Sequence, residues 1–473
     1  MKLNTDLADY AVIKSSEKGV TYSEARLQAQ QEMGVLLKNG EPEPAIITMT
    51  GGLAMRISYK GGLVFGYTNA MDRRSIDELI DKLIKQAKAG IMLFRRPINF
   101  SKQDVSIAKW EAEERERMEN LNYETLLAKA VTLDRICKSL LVKQRIISIE
   151  SNIEEKYFVN SEGTMIRSRV PRASFFGIIT AHSEGNVVQR VLQHGEVGGI
   201  EAFERMNVGE KISKEVKIMA RILDKSVKIE EGKRNVVVSP EIAGIMAHES
   251  VGHPSEADRI LGREAAQAGE SYIGKDEMGI KIGSEEACVS DDPTIPHSYG
   301  FYLFDDEGVG ASKRVLLNRG RISEFLHNRE TSVEYGTTSN ASARASAYDR
   351  EPIIRMANTY VEPGDADPQE LLAETKDGVY IKSFMEWNID DRRLNQRYVG
   401  HEAYIIKNGA VGLPIRNLVL EVNTPTLWSS LERRANDLEY NSATCGKGDP
   451  EQGIPVWTGG PHLKFGQLMI THR

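Results

Sequence analysis

Apolar residues fall at every second position in two early stretches, Leu53-Met55-Ile57-Tyr59 and Leu63-Phe65-Tyr67, separated by Lys60-Gly61-Gly62. Alternation of period two puts one face of a strand against a core, and the glycines supply the turn, so a hairpin is predicted. Residues 21 to 38 are ambiguous. Leu27, Ala29 and Met33 suit a strand, while the abundant Gln, Glu and Ala tolerate helix; we read strand. The period then changes: Ile76, Leu79, Ile80, Leu83, Ile84 and Ala87 recur at helical spacing, with Ser75-x-x-Glu78 as a capping box and Gly90 at the exit. A loop is expected near Arg95-Arg96-Pro97. The mixed charges of residues 111 to 119 then open a second helical region, as its solvated face, reaching about Lys138.

From Arg145 to Gly195 the pattern reads as a meander of strands, with turn signals at Asn160-Ser161-Glu162-Gly163 and Ser183-Glu184-Gly185-Asn186. A charged stretch from Lys214 to Arg234 holds a helix, and a domain boundary is placed near residue 230. Beyond it, Asn318-Arg319-Gly320 and Asn408-Gly409 are hairpin signals that favour antiparallel pairing. A late helix is expected from Thr424-Pro425 through Leu427, Leu431 and Ala435. The predicted class is α+β: an N-terminal α/β sandwich-type region, residues 1–230, divisible into units 1–100 and 101–230, then a strand-rich, mainly antiparallel domain, residues 231–473.

That second region opens with the strand-like Val236-Val237-Val238, followed by Ser239 as N-cap and Pro240 at the first helical position. Ile242, Ile245 and Met246 give the helix a buried face. Its later turn carries His248-Glu249-Ser250-Val251-Gly252-His253, two imidazoles with an interposed carboxylate, a set able to bind a metal and work its water. Histidines four apart share a helix face, but at about 100° per residue five steps turn roughly 140°. His253 therefore rejoins His248 only if the helix ends, tightens or bulges between them. Gly252 is expected to leave helical dihedrals at that break, and Pro254 disfavours helix at His253.

A hydrolytic zinc site commonly has three protein ligands and an open position. The third is left open by spacing alone: Glu256 and Asp258 lie close by, and Cys445 lies far along the chain in a Gly-rich loop. Cys137 and Cys288 sit in segments that read as packed elements.

The run from His248 to His253 followed by Glu256-x-Asp258, the segment Asp305-Asp306-Glu307-Gly308-Val309, the stretch from Pro352 to Tyr360 with Pro363-Gly364-Asp365, and the late Cys445-Gly446-Lys447 together resemble the TldD/PmbA metallopeptidases. The resemblance spans most of the chain and is closest to the TldD branch, since the TldE (PmbA) branch lacks the histidine motif. It implies one zinc ion per chain held by His248, His253 and Cys445, with Glu249 as catalytic carboxylate. It also implies small or unfolded peptides as substrates, cut inside a dimer formed with a TldE-like paralogue or with itself. The polar Asp449-Pro450-Glu451-Gln452 departs from the shorter Gly-Gln arrangement expected there. In the implied chemistry, zinc acidifies a water and polarises the scissile carbonyl, while Glu249 moves the proton. A thiolate among the ligands cancels one unit of charge, so the base becomes more necessary.

Composition narrows the alternatives. At 473 residues the chain exceeds what one core usually organises. Its formal charge of -7 gives no electrostatic reason to bind nucleic acid or an anionic membrane. No apolar run approaches the roughly 18 to 20 residues of a membrane span, the first residues lead into no signal core, and three scattered cysteines argue against disulfides; a cytoplasmic location is expected. Asp305-Asp306-Glu307 is read as an acidic turn, and Tyr335, Arg344 and His401 as surface or structural groups. The alternative to a peptidase is a non-catalytic, zinc-containing peptide-binding or adaptor protein.

Overall fold

The computed structural model describes residues 3–90, 97–264 and 269–473. Its N-terminal half is built on an eight-stranded sheet. At the centre, the long strands Tyr22–Lys38, Val142–Asn160 and Met165–Ser183 pair antiparallel, and Ile46–Tyr59 lies on the other side of the first. Leu27 stands opposite Leu53 on one neighbour and Tyr157 on the other, so strand alternation wins over the helix-tolerant composition of residues 21 to 38. The predicted hairpin forms, with Ile57 opposite Val64. Helices Thr5–Glu17 and Arg73–Gly90 cover one part of the sheet, burying Leu7, Ala11, Ile76, Leu79, Ile80 and Leu83. Tyr123–Cys137 and Val208–Lys225 cover another through Leu126, Ala130, Ile212 and Met219.

Two local expectations do not hold. Ser75 does not start its helix: its backbone N and Oγ both donate to the Asp72 carboxylate, so the capping role moves one turn back. The charges of residues 111 to 119 are mostly outside any helix, which begins at Tyr123 with Asn122 accepting from the N–H of Thr125. Those charges are used in fixed pairs instead, such as Arg169 with Glu119 at 2.7 Å. The expected loop at Arg95-Arg96-Pro97 falls largely outside the described residues.

The C-terminal half is mixed α/β and strand-rich, with two main sheets. In one, Asp377–Ile389, Gly232–Val238, Leu463–His472, Leu418–Asn423 and Asn395–Lys407 pair in that order, and the last also pairs with the first. The ladder of these five strands thus closes on itself, and Ala410–Pro414 and Leu431–Arg434 pair at its margins. In the other, Arg321–Ile322, Arg314–Asn318, Val289–Asp291, Asn358–Val361, Gln452–Gly460 and Glu439–Lys447 follow one another, leaving Glu439–Lys447 as an edge. Pairing is mainly antiparallel, but Gly232–Val238 runs parallel to Asp377–Ile389, and Asn358–Val361 parallel to Gln452–Gly460.

The late helix is shorter than predicted. It spans Thr424–Ser429, and the chain turns at once into the strand Leu431–Arg434, where Leu431 meets Phe465. Cross-strand pairing overrides the helical spacing of Leu427, Leu431 and Ala435. Asp305, Asp306 and Glu307 form the expected acidic turn, with the N–H of Gly308 donating to the Asp305 carbonyl at 3.1 Å, and all three are buried. Glu307 takes Arg56 at 2.7 Å and the N–H of Arg329 at 2.7 Å, and Asp306 takes Lys156, tying the two halves together.

Candidate metal centre

The helix that carries the histidine motif is buried between the closed ladder and the open sheet. Pro240–Ala247 follows the strand Gly232–Val238, with Pro240 in the first turn as expected. Ser239 does not cap through its side chain; its Oγ donates to the carbonyl of Lys382 at 2.6 Å. Gly244 lies so close to the neighbouring strand that a Cβ there would stand 2.6 Å from the backbone N of Gly459. Ile242, Met246 and Val251 are buried in the same apolar cluster as Val236, Phe325 and Trp428.

At His248 the winding changes to a π-turn over His248–Gly252, followed by a 3₁₀ turn over His253–Ser255. In a π-turn, hydrogen bonds join residues five apart, and the N–H of His253 donates to the carbonyl of His248. The bulge therefore resolves the five-residue spacing: the two rings meet edge to face with centroids 4.9 Å apart. Pro254 cannot donate a backbone hydrogen bond and ends the π run. Two expected details differ. Gly252 keeps helical dihedrals, φ -59° and ψ -65°, and so does His253 at -57° and -44°. Gly252 is required for space, since a Cβ would lie 2.0 Å from Sδ of Met356. The turn is braced by Ser250, which donates to the Met246 carbonyl at 2.6 Å and accepts from Nε1 of Trp428 at 2.9 Å.

Cys445 comes to these rings on the edge strand Glu439–Lys447. Its Sγ is 3.4 Å from Nε2 of His253, across 192 positions of sequence. The ligand atoms of His248, His253 and Cys445 all lie within 4.8 Å of one another, and all three residues are buried. Arg355 fixes this strand end, donating to the carbonyl of Cys445 and to that of Gln452 at 2.7 Å. The divergent residues 449 to 451 form the turn from which Gln452 returns to pair with Lys447.

Glu256 and Asp258 do not join the cluster. Glu256 accepts from Nδ1 of His253 at 3.0 Å and from Nε of Arg259 at 2.6 Å, and Lys447 lies 3.3 Å away. Lys447 also donates to both Asp258 oxygens at 2.8 Å. Although burial favours the neutral acid, Lys447, His253 and Arg259 hold the Glu256 carboxyl well below the usual range. Burial raises Asp258 despite Lys447.

The donor set suits a borderline-soft cation such as zinc: two imidazoles and a thiol that readily ionises. Burial alone would push the Cys445 thiol up, yet His253, Arg355 and His248 hold it well below its ordinary value. His248 responds in the opposite sense; burial lowers it, and Cys445 and Glu249 outweigh burial and raise it. Among the described residues, Nδ1 of His248 is buried with no hydrogen-bond partner. A cation here would meet deprotonated sulfur and imidazole lone pairs and release the protons they now share.

Glu249 projects from the same π-turn into a cleft of about 490 Å³. The cleft is walled by Arg190–His194 of the N-terminal sheet, by Phe384–Trp387, and by Asn441–Gly446 of the edge strand. Arg393 reaches in from a distant turn and donates to Oε2 of Glu249. Sequence reasoning gave no role to Arg393, Arg355 or Lys447; Arg355 and Lys447 lie within stretches that carry the family resemblance, whereas no local pattern marks Arg393 among the many basic residues. Tyr335, Arg344 and His401 do not line the cleft. Arg344 donates to the carbonyls of Met356 and Pro455, His401 pairs with Glu215 at 2.6 Å, and Tyr335 packs against Phe325 and His327.

A strand-rich protein with a buried His-His-Cys cluster beside a cleft lined by both halves of the chain is the architecture so defined. Family models named PmbA/TldA metallopeptidase domain 1, central domain and C-terminal domain match residues 23–87, 111–222 and 231–472. The chain belongs to the PmbA/TldD metallopeptidase family. A metalloprotease of Methanocaldococcus jannaschii is 28% identical over 442 residues, covering 93% of this chain and 94% of that protein. A protein named zinc metalloprotease TldD homolog, from Saccharolobus solfataricus, is 26% identical over 424 residues and 89% of each chain. The crystal structure of TldE from Thermococcus kodakarensis shares the fold, with a TM-score of 0.75, 16% identity and 99% coverage of both chains. Among the described residues, no helix is long and apolar enough to cross a membrane.

Proposed function

We propose that this protein is a zinc-dependent peptidase acting on small or unfolded peptides, with one zinc ion held by His248, His253 and Cys445. The observation that carries this reading is the convergence of those three ligand atoms within 4.8 Å, beside a carboxylate that lines an accessible cleft. The name of the Saccharolobus relative supports zinc as the ion. When bound there, zinc supplies Lewis acidity that activates water and polarises a carbonyl.

The chain's own residues do the rest. Glu249 accepts the proton of the attacking water and hands it to the leaving amine. Glu256 fixes the ring of His253 through Nδ1, leaving Nε2 free for a cation. A cleft of about 490 Å³ is far too small for a folded domain, which suits unstructured substrates. We further propose a catalytic domain beginning near residue 231, a cytoplasmic location, and a dimer formed with itself or with a paralogue resembling TldE, whose fold this chain shares.

The test is incubation of the purified protein with a pool of unstructured peptides, with and without chelator, followed by zinc re-addition. Cleavage abolished by chelator and restored by zinc is expected. Binding of peptide without products would overturn the enzyme reading and favour an adaptor.

A further inference from the structure

We propose that Arg393 is a positioning residue for Glu249, an inference that rests on the hydrolytic reading above. The two residues are 144 positions apart and belong to different elements, yet the Arg393 guanidinium donates to Oε2 of Glu249. Both side chains are buried, 9% and 4% exposed. Among the described residues, Glu249 is the sole side-chain partner of Arg393, and the Arg393 Nε, also buried, has no acceptor. A desolvated guanidinium with so few acceptors is costly to keep for structure alone.

The pairing is asymmetric in a useful way. Oε2 of Glu249 is taken by Arg393, whereas Oε1 takes no hydrogen bond among the described residues, and Glu249 lines the cleft. A base needs one oxygen presented to its proton donor and little freedom to swing away. Pinning the other oxygen supplies that restraint, which the π-turn cannot, because it fixes only the backbone of Glu249.

Arg393 is itself held in place. It sits in the turn between strands Asp377–Ile389 and Asn395–Lys407 with φ +63°, a left-handed conformation uncommon for a long side chain. Its N–H donates to the Asp390 carbonyl at 2.9 Å, and the Asp390 carboxylate accepts from the N–H groups of Leu394 at 2.7 Å and Asn395 at 3.1 Å. Thr424 Oγ1 donates to the Arg393 carbonyl at 3.1 Å. A backbone outlier secured on both sides and aimed at a cleft carboxylate is the pattern expected where geometry serves chemistry.

The experiment compares steady-state peptide cleavage and zinc affinity in zinc-loaded wild type, Arg393→Gln and Arg393→Lys. Absence of cleavage by wild type would sink the hydrolytic reading itself, and only a cleaving wild type reports on Arg393. Given turnover, Arg393→Gln is expected to lower kcat about 10- to 100-fold, the scale of a misplaced catalytic group. KM and zinc affinity should stay within about twofold, as for a loss confined to the chemical step. Arg393→Lys, which keeps the charge but not the fork, should give an intermediate kcat. Wild-type kcat in either variant, or a loss expressed in KM or zinc affinity instead of kcat, would overturn the assignment. Should Arg393→Gln fail to fold, the lysine variant decides by the same criteria.

Discussion

Glu256 hydrogen bonds Nδ1 of His253 at 3.0 Å from only three residues further along the chain. That contact fixes which nitrogen faces Cys445, since a ring whose Nδ1 donates to a carboxylate has its lone pair on Nε2. Glu256→Gln is expected to weaken zinc binding by about 10- to 100-fold, as for other outer-shell partners. Competition with a chromophoric chelator measures this, and an unchanged affinity would remove Glu256 from the site's support.

Glu249 and Cys445 should separate binding from turnover. Glu249→Gln is expected to retain zinc while losing kcat by about 100- to 10,000-fold, the range for a lost general base. Cys445→Ala should lose both zinc and activity, because a thiolate cannot be replaced by a methyl group as ligand. Elemental analysis beside peptide turnover distinguishes them; full zinc occupancy in the Cys445 variant would refute the thiolate ligand.

Two histidines set an acid-side slope in stability. Burial, with help from Lys211 and Arg190, takes His194 down to about 3, and burial takes His327 down to about 4. Below the ordinary value of 6.5 the unfolded chain binds these protons and the folded chain does not, so stability falls as pH drops from 6.5 toward 4. Each proton contributes a slope of at most about 1.4 kcal/mol per pH unit. Thermal melts of His327→Gln across that window should show a shallower decline than wild type, and an identical slope would contradict the shift.

Gly244→Ala sets local preference against packing. Alanine is the better helix former by about 1 kcal/mol, yet its Cβ would press on backbone atoms of Thr458 and Gly459 at 2.8 and 2.6 Å. Overpacking of this kind costs about 1–3 kcal/mol, so a net loss of stability is expected. A raised melting temperature would show that the helix has room to shift.

The two periodicities of the chain were legible because they are local. A strand that buries one face needs apolar residues two apart, as Leu53, Met55 and Ile57 show, and a helix needs the spacing of Ile76 to Ala87. Such patterns failed where long-range pairing competed. Leu431 has helical spacing from Leu427 but enters a strand, because Phe465 stands opposite it. Ser75 looked like a cap because Glu78 follows it, whereas Asp72 reaches the same N–H with a stronger acceptor.

For the site, the sequence by itself determined the types of atom available and one constraint: histidines five apart cannot share the face of a regular helix. Tertiary structure decided how that constraint was met, by a π-turn packed on Met356 and Trp428. It also decided that Cys445 approaches His253 and that Arg393 reaches Glu249. The reason is physical: backbone geometry acts over a few residues, whereas contacts across 192 and 144 positions exist only once two sheets have fixed their registers.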